Sequence, residues 1–293
     1  MIQAMDNELY NYPIGAILEK FGSGKGSRDM YFSPFRAEKE PSLHVDSAKN
    51  VWYDHGLGVG GTNVQLVMMV NRCNEEDAKK YIAGLDPSIN YSQESRGPKS
   101  KITSVKPLFS YYLKNYIESR SIPLDLAARY VKEVKVHNFE RNQDFTLIGF
   151  ENNAGGYAMR SPGKFKSTDK AGITTIDTDG NRSGKPSSKS IAVFEGFFDF
   201  LSWLVMQNTD RPTCDVVVLN SVVNLTSAIR YIQAHETINC FLDRDETGRK
   251  ALDNVRFLFP DKEVKDMSKL YSQYKDLNEM LVQSRGYSLT HSR

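Results

Sequence analysis

The stretch from residue 190 onward limits the fold more than any other part of the chain. Short apolar runs alternate there with amphipathic segments, the pattern of a parallel α/β sheet. Two of the runs end in carboxylates: Val193-Phe194-Glu195-Gly196-Phe197-Phe198-Asp199 and Phe241-Leu242-Asp243-Arg244-Asp245-Glu246-Thr247-Gly248. Strands of a parallel sheet are buried on both faces, and open α/β sheets do their chemistry beyond the C-terminal strand ends. Glu195, Asp243 and Asp245 are expected at that edge. Carboxylates gathered there repel one another unless a hard divalent cation neutralises them. The pattern therefore points to a Mg²⁺ (or Mn²⁺) site serving phosphoryl-type chemistry. Any one of these acids could instead cap a helix N-terminus. Several at successive strand ends favour the metal.

Composition bounds the setting. The 293 residues are 40% hydrophobic and 25% charged, which suits a folded chain of about two domains. No apolar stretch approaches the roughly 20 residues of a membrane helix, so no membrane partner is expected. The N-terminus, Met1-Ile2-Gln3-Ala4-Met5-Asp6, is no secretory signal. Cys73, Cys214 and Cys240 are far apart and read as reduced thiols of a cytoplasmic protein. The net charge of +2 does not by itself announce nucleic acid. Basic character is concentrated in Arg96–Lys106, Arg160–Lys170 and Arg182–Lys189, all ahead of the acidic motifs, as a nucleic-acid enzyme would need. Each basic stretch alone could equally be a solvated linker.

Upstream, residues 7–21 have helical spacing. Gly22-Ser23-Gly24-Lys25-Gly26-Ser27 lacks the order of a phosphate loop and reads as a turn. Asp29–Phe32, Ser42–Val45 and Val51–Tyr53 read as an antiparallel meander, broken by Pro34 and Pro41. A helix beginning near Thr62 or Asn63 follows a glycine run that only superficially mimics a dinucleotide fingerprint. Helices are expected over Glu75–Ala83, Leu108–Glu118 and Leu124–Tyr130, and strands over Arg141–Ile148, Ala154–Met159 and Ile173–Ile176. The polar residues 86–107 read as a linker. The expected organisation is a module over 1–85, that linker, a small α+β subdomain over 108–189 and the parallel α/β domain over 190–293. His137 and His235 suit surface or packing roles, and Phe197, Phe198, Phe200 and Trp203 suit a core.

Taken together, the two acidic signatures resemble the Toprim domain of bacterial replicative primases, topoisomerases and some nucleases. Its first motif is a strand ending in Glu-Gly with an Asp three residues on, matched by Glu195-Gly196 and Asp199. Its second, Asp-x-Asp-x-x-Gly, is matched by Asp243, Asp245 and Gly248. Its third is matched by Lys275-Asp276-Leu277-Asn278-Glu279. Upstream, Ser33-Pro34-Phe35-Arg36 with Pro41-Ser42-Leu43, and Tyr53-Asp54-His55-Gly56-Leu57-Gly58-Val59-Gly60-Gly61, resemble the two halves of a primase zinc-binding module. Leu113 to Ile122, with Tyr116, Ser119, Arg120 and Ile122, and Gly155-Gly156-Tyr157-Ala158-Met159-Arg160 with Lys164-Phe165-Lys166-Ser167 resemble segments ahead of the primase Toprim part. The likeness covers residues 10 to 285 and is nearest the short primase-like proteins of phages, plasmids and mobile elements.

The resemblance implies a four-stranded parallel Toprim sheet flanked by helices, preceded by a small α+β subdomain and an N-terminal zinc-ribbon-like antiparallel β module. It implies catalytic roles for Glu195, Asp243 and Asp245, with Asp199 and Asp276 completing the metal set. It makes Arg160, Lys164, Lys166 and Lys275 candidates for template and triphosphate contacts. The implied partners are single-stranded DNA, ribonucleoside triphosphates and a separate replicative helicase. One departure is sharp. The zinc-ligand slots hold Ser33, Arg36, Asp54 and Leu57, so no zinc is expected. Arg36 is free there for phosphate, or for an ion pair with Glu38 or Glu40. Primer synthesis is the leading reading. A non-catalytic DNA-binding accessory or mobilisation protein, or a Toprim nuclease, are the alternatives, since a fold does not choose its chemistry.

Overall fold

Alternating burial along two of four short strands organises the first of two units. The computed structural model describes residues 9–85, 100–163, 165–182 and 184–290. The first unit holds the described residues up to 85 together with Val222–Arg230. The second holds residues 100 to 221 and those from Tyr231 onward. Among the described residues no helix is long and apolar enough to cross a membrane.

Leu9 and Tyr10 are helical, and the expected helix over 7–21 is then broken ahead of Pro13, which stands at the N-cap of helix α1 (Ile14–Lys20). Strands β1 (Met30–Tyr31), β2 (Leu43–Asp46), β3 (Val51–Asp54) and β4 (Val59–Thr62) pair antiparallel in chain order. Leu43, Val45 and Trp52 point into a core shared with Ile14, Ile17 and Leu66. Helix α2 (Asn63–Asn71) starts in a capping box between Thr62 and Gln65, and α3 (Glu75–Ala83) is capped by Asn74. Buried Asn50 and Asn63 tie down the N-terminal segment, each donating to the Tyr12 carbonyl at 2.9 Å. Thr226 Oγ1 donates to the Gly60 carbonyl at 2.9 Å, which fastens the 222–230 segment to this unit.

The second unit contains two sheets. Strands β5 (Ser100–Lys106), β6 (Val131–Asn138), β7 (Gln143–Glu151), β8 (Tyr157–Ser161) and β9 (Phe165–Asp169) form an antiparallel meander in chain order. Helices α4 (Tyr111–Ser119) and α5 (Leu124–Tyr130) lie between β5 and β6 in the chain. Residues 100–106 are thus a strand, not the end of a linker; the rest of the expected linker, 86–99, lies outside the described residues. β5 is an exposed edge strand held by backbone pairing to β6, so it carries no apolar signature.

The other sheet runs β10-β12-β11-β13-β14, built from β10 (Thr174–Ile176), β11 (Ser190–Phe194), β12 (Asp215–Val218), β13 (Thr237–Phe241) and β14 (Glu263–Asp266). The last four are parallel, as expected, but the sheet has a fifth strand. β10 pairs antiparallel with β12, so Thr174–Ile176 joins this sheet and not the preceding subdomain. Helices α6 (Phe197–Met206), α8 (Glu246–Leu258) and α9 (Leu277–Thr290) complete the α/β pattern, while most of α7 (Leu225–Gln233) falls in the 222–230 segment of the first unit. Phe194 stacks on its register partner Phe241 at 4.9 Å, and Phe197, Phe200 and Trp203 are buried in the same core.

His235, expected at the surface or in packing, is fully buried at a polar junction. Its Nε2 lies 2.8 Å from Asp215 Oδ2 and its Nδ1 lies 2.9 Å from the Tyr231 carbonyl. Asp215 also accepts from Ser187 N, Ser187 Oγ and Ser188 N at 2.7, 2.6 and 2.9 Å.

Candidate active site

The parallel sheet steps outward from β11 in both directions: the chain passes from β11 to β12 on one side, then returns to β13 on the other. Open α/β sheets bind ligands at such a switch point, beyond the carboxyl ends of the strands. Glu195 directly follows β11, and Asp243 lies two residues beyond the end of β13. A cleft of about 760 Å³ opens there, lined by Glu195, Asp199, Asp243, Asp276 and Lys275. Arg160 and Lys166, from the antiparallel sheet, line it too. The structure therefore brings these seven of the ten candidate residues to one cavity. Lys164 lies outside the described residues.

The acids differ in their surroundings. Glu195 Oε2 is buried without a hydrogen-bond partner. Burial, reinforced by the charges of Asp243 and Asp245, pushes the Glu195 carboxyl up to about 7. Burial and Asp276 likewise raise Asp243, and burial with Asp276 and Asp243 raises Asp199 well above the usual carboxylate range. At Asp245 burial would raise the carboxyl, but the Gly248 N–H and the Lys275 ammonium outweigh it and the group sits low. Asp245 Oδ1 accepts from Gly248 N at 3.0 Å as the N-cap of α8, and Asp276 Oδ1 accepts from Glu279 N at 2.7 Å at the start of α9. Capping thus accounts for part of two acids and leaves Glu195 and Asp243 without that explanation.

Lys275 carries the counter-charge. Its Nζ lies 3.2 Å from Asp243 Oδ2 and 3.5 Å from Asp245 Oδ2. As the side chains stand, no group of three or more His, Cys, Asp or Glu among the described residues is drawn around a common point. The donors nonetheless suit a hard cation: all are carboxylate oxygens, one is orphaned, and burial together with their mutual charge raises three of the acids. Glu195, Asp243 and Asp245 would hold such an ion, with Asp199 and Asp276 beside them.

Gly248 is required by close approach: a Cβ there would collide with the Asp243 carbonyl. Gly196 has no such need, since its backbone is extended and a Cβ would meet only Asp199 Oδ2 at 3.5 Å. Gly248→Ala is expected to shift the Asp243 carboxylate and cost on the order of a hundredfold in any activity of the cleft, read by steady-state kinetics.

Two residues outside the expected set belong to the site. Asn278 is fully buried; its N–H donates to Asp199 Oδ1 at 3.1 Å, and its Nδ2 donates to the Arg120 carbonyl at 2.9 Å and to Ser202 Oγ at 2.8 Å. It joins the third motif to the first, and its signal was its place two residues after Asp276. Asn220, just beyond β12, also lines the cleft; no motif marks it.

In the first unit Arg36 is committed elsewhere. Its guanidinium forks onto Asp54, both contacts 2.9 Å, and also donates to Glu38 at 2.8 Å, Ser33 Oγ at 3.1 Å and Ser42 Oγ at 2.6 Å. Leu57 N donates to Asp54 Oδ1 at 2.9 Å. The ion pair is with Asp54 and Glu38, not Glu40, and it occupies the place where phosphate contact was expected. All four zinc-ligand slots, Ser33, Arg36, Asp54 and Leu57, belong to this network. A cationic guanidinium at its centre and an aliphatic side chain in one slot do not fit a zinc ion. Arg36→Ala leaves the fully buried Asp54 carboxylate unpaired and is expected to destabilise this unit by about 3 kcal/mol, with Arg36→Lys recovering only part. Thermal unfolding with and without a chelator measures both effects.

Family models match along the chain. A Toprim-like model covers residues 192–281, a CHC2 zinc finger model covers 18–96, and a domain of unknown function (DUF8464) covers 102–169. The DNA primase of Campylobacter jejuni subsp. jejuni serotype O:2 is 25% identical over 119 residues, 40% of this chain. The chain spans only 20% of that protein's length. The primase fragment of the bacteriophage T7 primase-helicase protein aligns with a TM-score of 0.42 and 16% identity, over 86% of this chain and 94% of that one. The zinc binding and RNA polymerase domains of the Aquifex aeolicus primase align with a TM-score of 0.36 and 16% identity, over 96% and 85%. The Toprim-like match falls on the sheet that carries the acidic cleft, and it defines a Toprim-domain protein. With the CHC2 zinc finger match ahead of it, the chain is similar to bacterial-type Toprim DNA primases in two separate segments.

Proposed function

We propose that the protein is a primase-like nucleotidyltransferase that joins ribonucleotides on a single-stranded DNA template. The observation that carries this is Glu195: its carboxyl, raised to about 7 by burial and by the charges of Asp243 and Asp245, has a buried unpartnered oxygen in a cleft that Asp243, Arg160, Lys166 and Lys275 also line. In such a reaction a 3′ hydroxyl attacks an α-phosphate, and the barrier is dominated by charge crowding and positioning. A Mg²⁺ or Mn²⁺ ion bound by the carboxylates would supply positive charge to the phosphate oxygens. Glu195 Oε2, buried without a hydrogen-bond partner, is suited to take the proton of the attacking hydroxyl. Arg160 and Lys166 would hold template or triphosphate phosphates, and Lys275 would pass from the aspartates to the triphosphate. The first unit, held by the Arg36 network in place of zinc, would contact the template. A separate helicase is the natural partner.

The Lys275 bridge favours a second reading, in which a built-in ammonium has made the acidic cluster inert and the chain only binds DNA. Incubation with single-stranded DNA, labelled ribonucleotides and Mg²⁺ or Mn²⁺ separates the two. Labelled oligomers support the transferase, shortened DNA would replace it with a nuclease, and binding without either product would leave the accessory role.

A further inference from the structure

Helix α4 carries aromatic side chains towards both ends, and its C-terminal part lines the cleft through Tyr116 and Arg120. At its other end Phe109, Tyr111 and Tyr112 stand 76%, 79% and 58% exposed. Large aromatics so clustered and so open mark an interaction site. Their backbone is firmly held: Phe109 N and Ser110 N donate to Glu133 at 3.1 and 2.7 Å, and that buried carboxylate also pairs with Lys106 at 3.1 Å. The ammonium groups of Lys106 and Lys114 each lie 5.8 Å from the Phe109 ring centre. Residues 100–117 contain three lysines and no acidic residue; Lys106 is paired with Glu133, and Lys114 adds positive charge beside the flat aromatic faces. Tyr112 stands one helical turn from Tyr116, on the same face, and Tyr116 packs edge-on against Phe198 at 5.5 Å. A helix of this length spans about 13 Å, a few nucleotides of an extended strand.

We propose that Phe109, Tyr111 and Tyr112, flanked by Lys106 and Lys114, form a stacking platform for the unpaired bases of a single-stranded nucleic acid entering or leaving the cleft. Aromatic faces accept any base and lysines accept the backbone, which is the chemistry of sequence-tolerant single-strand binding. The proposal rests on the reading of the cleft as a polynucleotide site.

Fluorescence anisotropy with a labelled oligo-dT strand tests it. The triple variant Phe109→Ala/Tyr111→Ala/Tyr112→Ala is expected to bind roughly ten- to a hundredfold more weakly than the parent. Its affinity for a duplex of the same length is expected to change less than about twofold, because paired bases offer no face to stack. Lys114→Gln is expected to lower the salt dependence by about one charge. Single-strand affinity within twofold of the parent overturns the platform and leaves the patch to a protein partner. Equal losses for single strand and duplex overturn it as well. Oligo-dT binding lost in the triple variant of a protein that makes no labelled oligomers would sink the transferase but keep the platform. Labelled oligomers with unchanged affinity would do the reverse.

Discussion

On the proposed function, Asp243→Asn and Asp245→Asn are each expected to lower divalent-metal-dependent nucleotidyl transfer by roughly two to three orders of magnitude, while moving stability in opposite directions. Their environments differ. Asp243 is raised by burial and by Asp276, so its charge opposes folding near neutral pH and the amide relieves that strain. Asp245 is lowered, since the Gly248 N–H and Lys275 outweigh its burial, so its charge supports folding. The amide in Asp245→Asn still caps α8 but loses the ion pair with Lys275. Thermal melts at neutral pH should therefore rise slightly for Asp243→Asn and fall slightly for Asp245→Asn, with both proteins nearly inactive. Retained activity in either variant would contradict its assignment to the ion. A raised melting point with lost activity is what a site that sacrifices stability for function produces.

Asp215→Ala is expected to cost about 4 kcal/mol of stability, the largest loss of any single substitution considered. Asp215 and His235 are both fully buried, and alanine strands His235 Nε2, the Ser187 hydroxyl and two backbone N–H groups without an acceptor. Asp215→Asn, which keeps an acceptor oxygen, should lose less. Burial would raise the Asp215 carboxyl, but the Ser187 hydroxyl, His235 and the backbone donors outweigh it, so its folded value lies below the unfolded one. The stabilisation is therefore fully present above the unfolded carboxylate range, near pH 4, and is lost as pH falls through the folded value. Denaturant melts at neutral pH and in acid check the size and the sign. A parent–variant difference that grows on acidification would contradict the account.

The parallel sheet and its acidic edge were legible because buried strands write continuous apolar runs, and carboxylates at their ends have few other uses. The antiparallel sheet was harder to read. β5 exposes most of its side chains, so Lys101 to Lys106 look like linker. β6 follows α5 with no intervening glycine or proline, and its Val131, Val134 and Val136 alternate imperfectly with polar residues. β10 reads as a strand, but only pairing with β12 assigns it to a sheet. At the site, residue type and spacing brought out Glu195, Asp243 and Asp245, and the resemblance to the Toprim motifs added Asp199, Asp276 and Lys275. They could not show that Lys275 bridges two of the acids, or that Arg36 would find Asp54, which is 18 residues away. Those are matters of long-range side-chain geometry. So is the buried partnership of Asp215 with His235, 20 residues apart.

The central claim is that carboxylates from adjacent strand ends share a divalent cation. Electron paramagnetic resonance of Mn²⁺ titrated into the full chain tests it directly. The parent should remove Mn²⁺ from the free-ion signal, Mg²⁺ should compete it back, and Glu195→Gln and Asp243→Asn should each abolish the uptake while remaining folded by circular dichroism. Uptake that persists unchanged in both variants, or a parent that takes up no Mn²⁺ at all, would contradict it.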